Sequence, residues 1–355
     1  MSDGVPAFRL IASLMTIRKA NTRVCAALRH ILAVLVATVN PLAASGSVLA
    51  SEDPNVVARQ SAPTPGHLYV LDSYRAEVLR FPLKKDGLPY KFPDGVLQPA
   101  GAGTGPSGLA VGRDGRIYFV DTSNSLVDVF DHWVTGIRNA SYQLLMPSGY
   151  SLMTARVDRN NYLYVANFSN SFNTSIAIYR PGAKGHNVHP VSVIAPYLER
   201  GDHPVDFSLS TTGRLYKMSD AEMVEEYNHP LNFTAVSTPD AIYLPLGPYE
   251  QYSFGFTLEI GRDDKLYIGL FPNNLLWGSA DYAIRVPGSG SEDQLILTNG
   301  CGTKSPSNYG AYNFSTVILN NYLIYSCDFP TADVLVYDLR RIGRQGPVEV
   351  LGKGL

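Results

Sequence analysis

The chain has 355 residues, a formal net charge of −2 and only 17 % charged residues, so it lacks the basic surplus with which nucleic-acid binders neutralise phosphates. A hydrophobic content of 45 %, with 31 Gly, 24 Pro and 22 Tyr, pairs many turn formers with many aromatic β-formers. That balance favours an all-β protein over a helical one.

The first fifty residues stand apart. Arg18, Lys19, Arg23, Arg29 and His30 precede an apolar run, Ile31 to Val39, and small residues then lead to Val48-Leu49-Ala50. A basic segment, a short apolar core and a small-residue end form the pattern of a secretory signal, and the core is too short for a permanent membrane span. We expect residues 1–50 to be a leader, with Met1 or Met15 as its start, and the mature chain to be secreted or periplasmic. Two cysteines then remain, Cys301 and Cys327, and export permits a disulfide between them; two buried thiols are the other reading. Asn-x-Ser/Thr triplets at Asn139, Asn167, Asn173, Asn232 and Asn313 matter only in a glycosylating host.

From Asn55 onward one frame recurs. Residues 106–118 read PSGLAVGRDGRIY, and residues 152–164, 204–216, 255–267 and 313–325 align with it without a gap. Each has an apolar first half, a polar turn, an aliphatic residue and a tyrosine. Residues 66–72, GHLYVLD, hold the second half of a sixth copy. Tyr69, Tyr118, Tyr164, Tyr216, Tyr267 and Tyr325 mark the units, and each continues into a third strand such as Val127–Phe130 and usually a fourth such as Tyr142–Leu145. Four short strands per unit predict one propeller blade. A blade alone leaves both faces bare, and stacking in a ring covers them. The prediction is therefore a single six-bladed β-propeller with four-stranded antiparallel blades over residues 51–355. In the first blade only Val56, Val57 and Ala58 are available as an inner strand.

The stretches Gly115-Arg116-Ile117-Tyr118-Phe119-Val120-Asp121 and Val127-Asp128-Val129-Phe130 resemble the NHL family of propeller repeats, in the form found in exported bacterial proteins. The resemblance implies a fold. It does not choose a function, because such propellers host binding modules, lactonases and lyases alike.

Three constellations could carry chemistry. Asp72, Asp121, Asn167 and Asp328 each follow a tyrosine strand and should share one rim. Hard oxygen ligands there suit a divalent metal such as Ca²⁺, while the local reading is that each oxygen accepts N–H bonds from its own turn. On the innermost strands, Gly108, Thr154, Asp206, Thr257 and Ser315, and two residues on Ala110, Arg156, Ser208, Glu259 and Val317, alternate with the apolar set. We expect them to turn toward the central channel, where Arg156, Asp206 and Glu259 either hold a polar ligand or metal or neutralise one another. His203, just before an inner strand, could act there as base or ligand. Tyr252 and Tyr312 belong to aromatic loops at the same end, suited to a protein, peptide or carbohydrate partner. The sequence thus predicts a binding module of unknown ligand. The alternative is a metal-assisted lactonase or lyase at the channel mouth through Asp206, Glu259 and His203, although the inner-strand starts, Ser107, Met153, Asp206, Phe256 and Phe314 or Asn313, are as a set too apolar for the lactonase ligand pattern.

Overall fold

A computed structural model describes residues 34–39 and most of 66–351; outside it lie 1–33, 40–65, 352–355 and the internal segments 73–74, 104–105, 147–149, 170–174, 187, 196–203, 220–222, 234–236, 244–251, 254–256, 262–263, 273–280, 286–293, 298–312, 320, 328–333 and 342–345. The described chain is an all-β propeller of antiparallel, four-stranded sheets. In the first sheet Val34–Val39, His67–Asp72, Glu77–Pro82 and Gly95–Pro99 follow one another, and Gly136–Arg138 adds in parallel to the last. The second contains Gly108–Val111, Ile117–Asp121, Leu126–Phe130 and Tyr142–Leu145. Tyr150–Val157, Leu163–Ser169, Ser175–Tyr179 and Ser192–Ile194 make the third, and Pro204–Leu209, Leu215–Ser219, Val224–Tyr227 and Ala241–Tyr243 the fourth. In the fifth, Leu258–Ile260 and Tyr252–Ser253 both pair with Leu266–Pro272, followed by Asp281–Arg285 and Gln294–Leu297. The sixth contains Asn313–Leu319, Tyr322–Cys327, Val334–Asp338 and Glu349–Leu351.

The repeat frame has a backbone cause. Gly115, Asn161, Gly213 and Asp264 stand at one frame position, the turn between the first two strands, and all four have positive φ (83°, 64°, 89° and 56°). Gly, Asn and Asp are the residues that tolerate this left-handed geometry, so the turn is conserved in shape while its letters change. Beyond the turn, Tyr118, Tyr164, Tyr216 and Tyr267 face Ala110, Arg156, Ser208 and Glu259 across the strand pair. The last copy slips by one residue: Tyr325 faces Thr316, not Val317.

Both faces of the second sheet are packed. Leu109, Ile117, Phe119 and Phe130 of the second sheet meet Tyr69, Leu71, Val78 and Leu97 of the first. Tyr118, Val120, Val127 and Val129, on the opposite face, meet Leu152, Ala155, Leu163 and Val165 of the third. This explains why Ile117–Asp121 is buried at every position and reads as a continuous apolar run. Gly108 permits the closest approach, because a Cβ there would lie 2.8 Å from the Val120 side chain and 3.0 Å from the Thr154 Cα.

Val34–Val39, inside the stretch expected as the apolar core of an export signal, pairs with His67–Asp72 along its whole length and is the innermost strand of the first sheet. Val56–Ala58, expected to supply that strand, lies outside the described residues. The small and polar inner-strand residues were expected to face the channel, yet Ala110, Thr154, Asp206, Ser208 and Thr257 are buried. The physical reason is orientation. A blade stands radially, so alternate side chains of its inner strand face the two neighbouring blades, and the strand's edge is what turns to the axis.

Candidate functional site

The inner edges of the third, fourth and fifth sheets meet at one charged cluster. Arg156 Nη2 lies 3.3 Å from Asp206 Oδ1 and 3.9 Å from Glu259 Oε2, so one guanidinium spans acids from two successive blades. Its Nη1 donates to Thr154 Oγ1 and to the Ala155 carbonyl, both at 3.2 Å. The three side chains are 16 %, 8 % and 17 % exposed, enough to leave a solvent-reached surface on an otherwise closed cluster.

Asp206 is committed on both oxygens. Oδ2 accepts the Leu258 N–H of the next blade at 2.9 Å, and Oδ1 accepts the Phe207 N–H at 2.8 Å as well as Arg156. Ser208 repeats the motif one step along: its Oγ accepts the Ile260 N–H at 3.1 Å and donates to Glu259 Oε2 at 3.3 Å. Asp206 and Ser208 therefore satisfy two amides on the edge of the Leu258–Ile260 strand that pairs with no other strand among the described residues. The second and third blades solve the same problem with hydroxyls: Ser107 Oγ and Thr122 Oγ1 donate to the Leu152 carbonyl.

The two acids differ electrostatically. Burial pushes the Glu259 carboxyl from its ordinary 4.5 up to about 7; Arg156 opposes that rise, and the Asp206 charge adds to it. Asp206 is also raised, by burial, against the pull of Arg156 and of its two backbone N–H bonds. At neutral pH the cluster is either neutral or singly negative, set by one proton on Glu259. Chemically it can exchange that proton or present a hydrogen-bonding face to a polar ligand.

The other sequence-predicted residues do not join this cluster within the described residues. His203, Tyr312 and Cys301 lie outside them; Tyr252 is placed by its pairing with Pro272, and Cys327 by its pairing with Asn313, without described side chains. The rim set behaves locally. Asp121 accepts N–H bonds from Asn124 and Gly103, Asp72 accepts one from Arg75, and Asn167 accepts the Ser175 hydroxyl; Asp328 lies outside the described residues. Asn167 is buried, which argues against glycan attachment there.

The sequence reading missed a second charged group. Lys217 Nζ lies 2.9 Å from Glu225 Oε2, both buried and directly opposed on adjacent strands of the fourth sheet, and the Tyr227 hydroxyl donates to Glu225. On the opposite face Glu226 pairs with Arg214 at 3.0 Å and accepts from the Tyr243 hydroxyl. The signal was in the letters: Lys217 follows the repeat tyrosine, where the second, third and fifth units have Phe119, Val165 and Ile268.

No family model matches the chain, and no curated protein does. Similarity to solved structures supports the fold alone. A humanized mutant of the Chaetomium thermophilum Polycomb Repressive Complex 2 aligns at 8 % identity and TM-score 0.50, over 88 % of this chain and 68 % of that one. The Cps50 (Swd1) β-propeller domain of Myceliophteria thermophila aligns at 9 % identity and TM-score 0.48, over 81 % and 83 %. A catalytically inactive virginiamycin B lyase from Staphylococcus aureus with quinupristin aligns at 10 % identity and TM-score 0.44, over 88 % and 86 %. The architecture is the propeller that the NHL-like repeats implied. Among the described residues no helix is long and apolar enough to cross a membrane.

Proposed function

We propose that this chain is an exported, six-bladed, NHL-like propeller that works as a binding module, holding a protein, peptide or carbohydrate partner. The blade count rests on the innermost strands of the six sheets, each of which neighbours the next and the last of which neighbours the first. The functional reading rests on one observation: both oxygens of Asp206 are already occupied by backbone amides and Arg156. The metal-assisted lactonase or lyase alternative needs Asp206 as a ligand, so a metal ion would have to displace the bond that ties the fourth blade to the fifth. A binding module needs no such displacement, since rigid blades with an unspent loop surface suffice.

The test is a paired measurement on purified protein. Thermal shift against Ca²⁺, Mg²⁺ and Zn²⁺, with metal analysis after chelation, is set beside capture on peptide and oligosaccharide arrays. Saturable capture that survives chelation and the Glu259→Gln substitution is the expected result. A stoichiometric divalent ion that is lost in Asp206→Asn, or lactone turnover that follows it, overturns the reading.

A further inference from the structure

The connection from Leu83 to Asp94 in the first sheet carries two large exposed rings, Tyr90 at 51 % and Phe92 at 56 %. It is a built loop. Leu83 bridges Pro89, Lys84 N–H donates to the Leu88 carbonyl, Tyr90 N–H donates to the Pro82 carbonyl, and Asp86 accepts the Leu88 N–H. Two of its lysines sit on the two rings: Lys84 Nζ is 5.6 Å from the Tyr90 ring centre and Lys91 Nζ 5.6 Å from that of Phe92. Of the loop's two acids, Asp94 is held by two bonds from Arg80 and Asp86 accepts the Leu88 N–H. Among the described residues Lys84, Lys85 and Lys91 have no ion pair.

The topology makes this a face, not an isolated loop. In an antiparallel blade the connection from strand three to four emerges on the same side as the turn from strand one to two. The Trp133 and Thr135 side chains of the second sheet's connection pack at Gly95, and the Arg113 N–H donates to Asn161 Oδ1 in the equivalent turn of the third sheet. The same side of these sheets therefore also displays Arg113, Arg159 and Lys184, all exposed, while its exposed acids Asp114 and Asp131 are paired with Arg116. On the opposite side of the first sheet Arg75 is paired with Asp72 and Glu77.

We propose that this face docks the propeller on an anionic lipid surface, with Tyr90 and Phe92 entering the headgroup layer and Lys84, Lys85 and Lys91 contacting lipid phosphates and carboxylates. Exposed apolar rings flanked by uncompensated lysines fit that surface, where charge attraction and shallow apolar burial act together. The whole chain is slightly acidic, so the attraction is a property of this side and not of the protein. The docking is separate from the Arg156 cluster, so either proposal can fail without the other.

The experiment is co-sedimentation of the purified protein with phosphatidylcholine vesicles, with and without phosphatidylserine. Binding to the phosphatidylserine vesicles is expected, weakening as salt rises. Lys84→Glu with Lys91→Glu should weaken it by about tenfold or more, and Phe92→Ser should weaken it with the charge unchanged. Both variants should keep the wild-type unfolding temperature, since the substituted groups are exposed or partly so. Equal binding to neutral vesicles, or undiminished binding by the variants, overturns the proposal. So does binding to neither vesicle, including the case where heparin retains the protein and the lysine variant abolishes that retention, which would assign the face to an acidic polysaccharide.

Discussion

The Asp206 carboxylate accepts the backbone N–H of Leu258 across a blade boundary at 2.9 Å. This side chain does the work that an additional strand would do elsewhere, and it is held by Arg156 from the blade on the other side. The fourth blade is thus tied to both neighbours through one residue, and removal of the tie should be measurable.

Arg156→Met leaves Asp206 and Glu259 without their shared cation in a largely buried place. A loss of about 3 kcal/mol in unfolding free energy is expected, measured by urea denaturation. Adding Asp206→Asn should recover part of it, because the amide oxygen still accepts the Leu258 N–H while the uncompensated charge is gone. A double variant that is weaker by the full sum of the two single losses would contradict this coupling.

The raised Glu259 carboxyl gives a pH signature. The folded state holds a proton that the unfolded state releases between the ordinary 4.5 and about 7. Stability from this group is present at low pH and declines as pH rises through that window, by an amount on the order of 3 kcal/mol at most. Glu259→Gln should flatten this slope and leave the protein more stable than wild type above pH 7. Thermal unfolding across the window, wild type against variant, reads the difference directly.

Lys217 and Glu225 are a buried pair with almost no exposure. Lys217→Met alone should cost about 3 kcal/mol, because it strands a carboxylate in the interior, whereas Lys217→Met with Glu225→Leu should cost much less. Denaturant midpoints of the two variants decide it.

Gly108→Ala puts a Cβ against the Val120 side chain and the Thr154 backbone. A cost of about 1–3 kcal/mol is expected from the forced separation of the second and third blades, visible as a lower unfolding temperature. The same substitution at Gly101, where nothing lies within 4 Å of a Cβ, should act only through its positive φ of 76° and cost less.

A chain beginning at Ser51 lacks Val34–Val39, the strand that covers the inner edge of His67–Asp72. A lower unfolding temperature than that of the full chain is expected. An unchanged temperature would show that another segment, with Val56–Ala58 as the candidate in the sequence, fills the position.

The repeat is written in the letters alone. Turn residues that accept positive φ, apolar runs of strand length and a recurring tyrosine are local properties, so the strands Ile117–Asp121 and Leu126–Phe130 and the blade they form were legible in the letters. The letters also brought forward Arg156, Asp206 and Glu259, because charge stands out where the other copies have Ala or Gly. Where those charges point follows from how the blades pack. A strand's alternation separates its two faces, but says nothing about whether a face meets a channel or another blade. Here both meet blades, which turned Asp206 into an edge cap. The run Val34–Val39 is ambiguous for a related reason: a short apolar stretch suits an export signal and a buried strand equally, and its pairing with His67–Asp72 is a contact that no local pattern encodes.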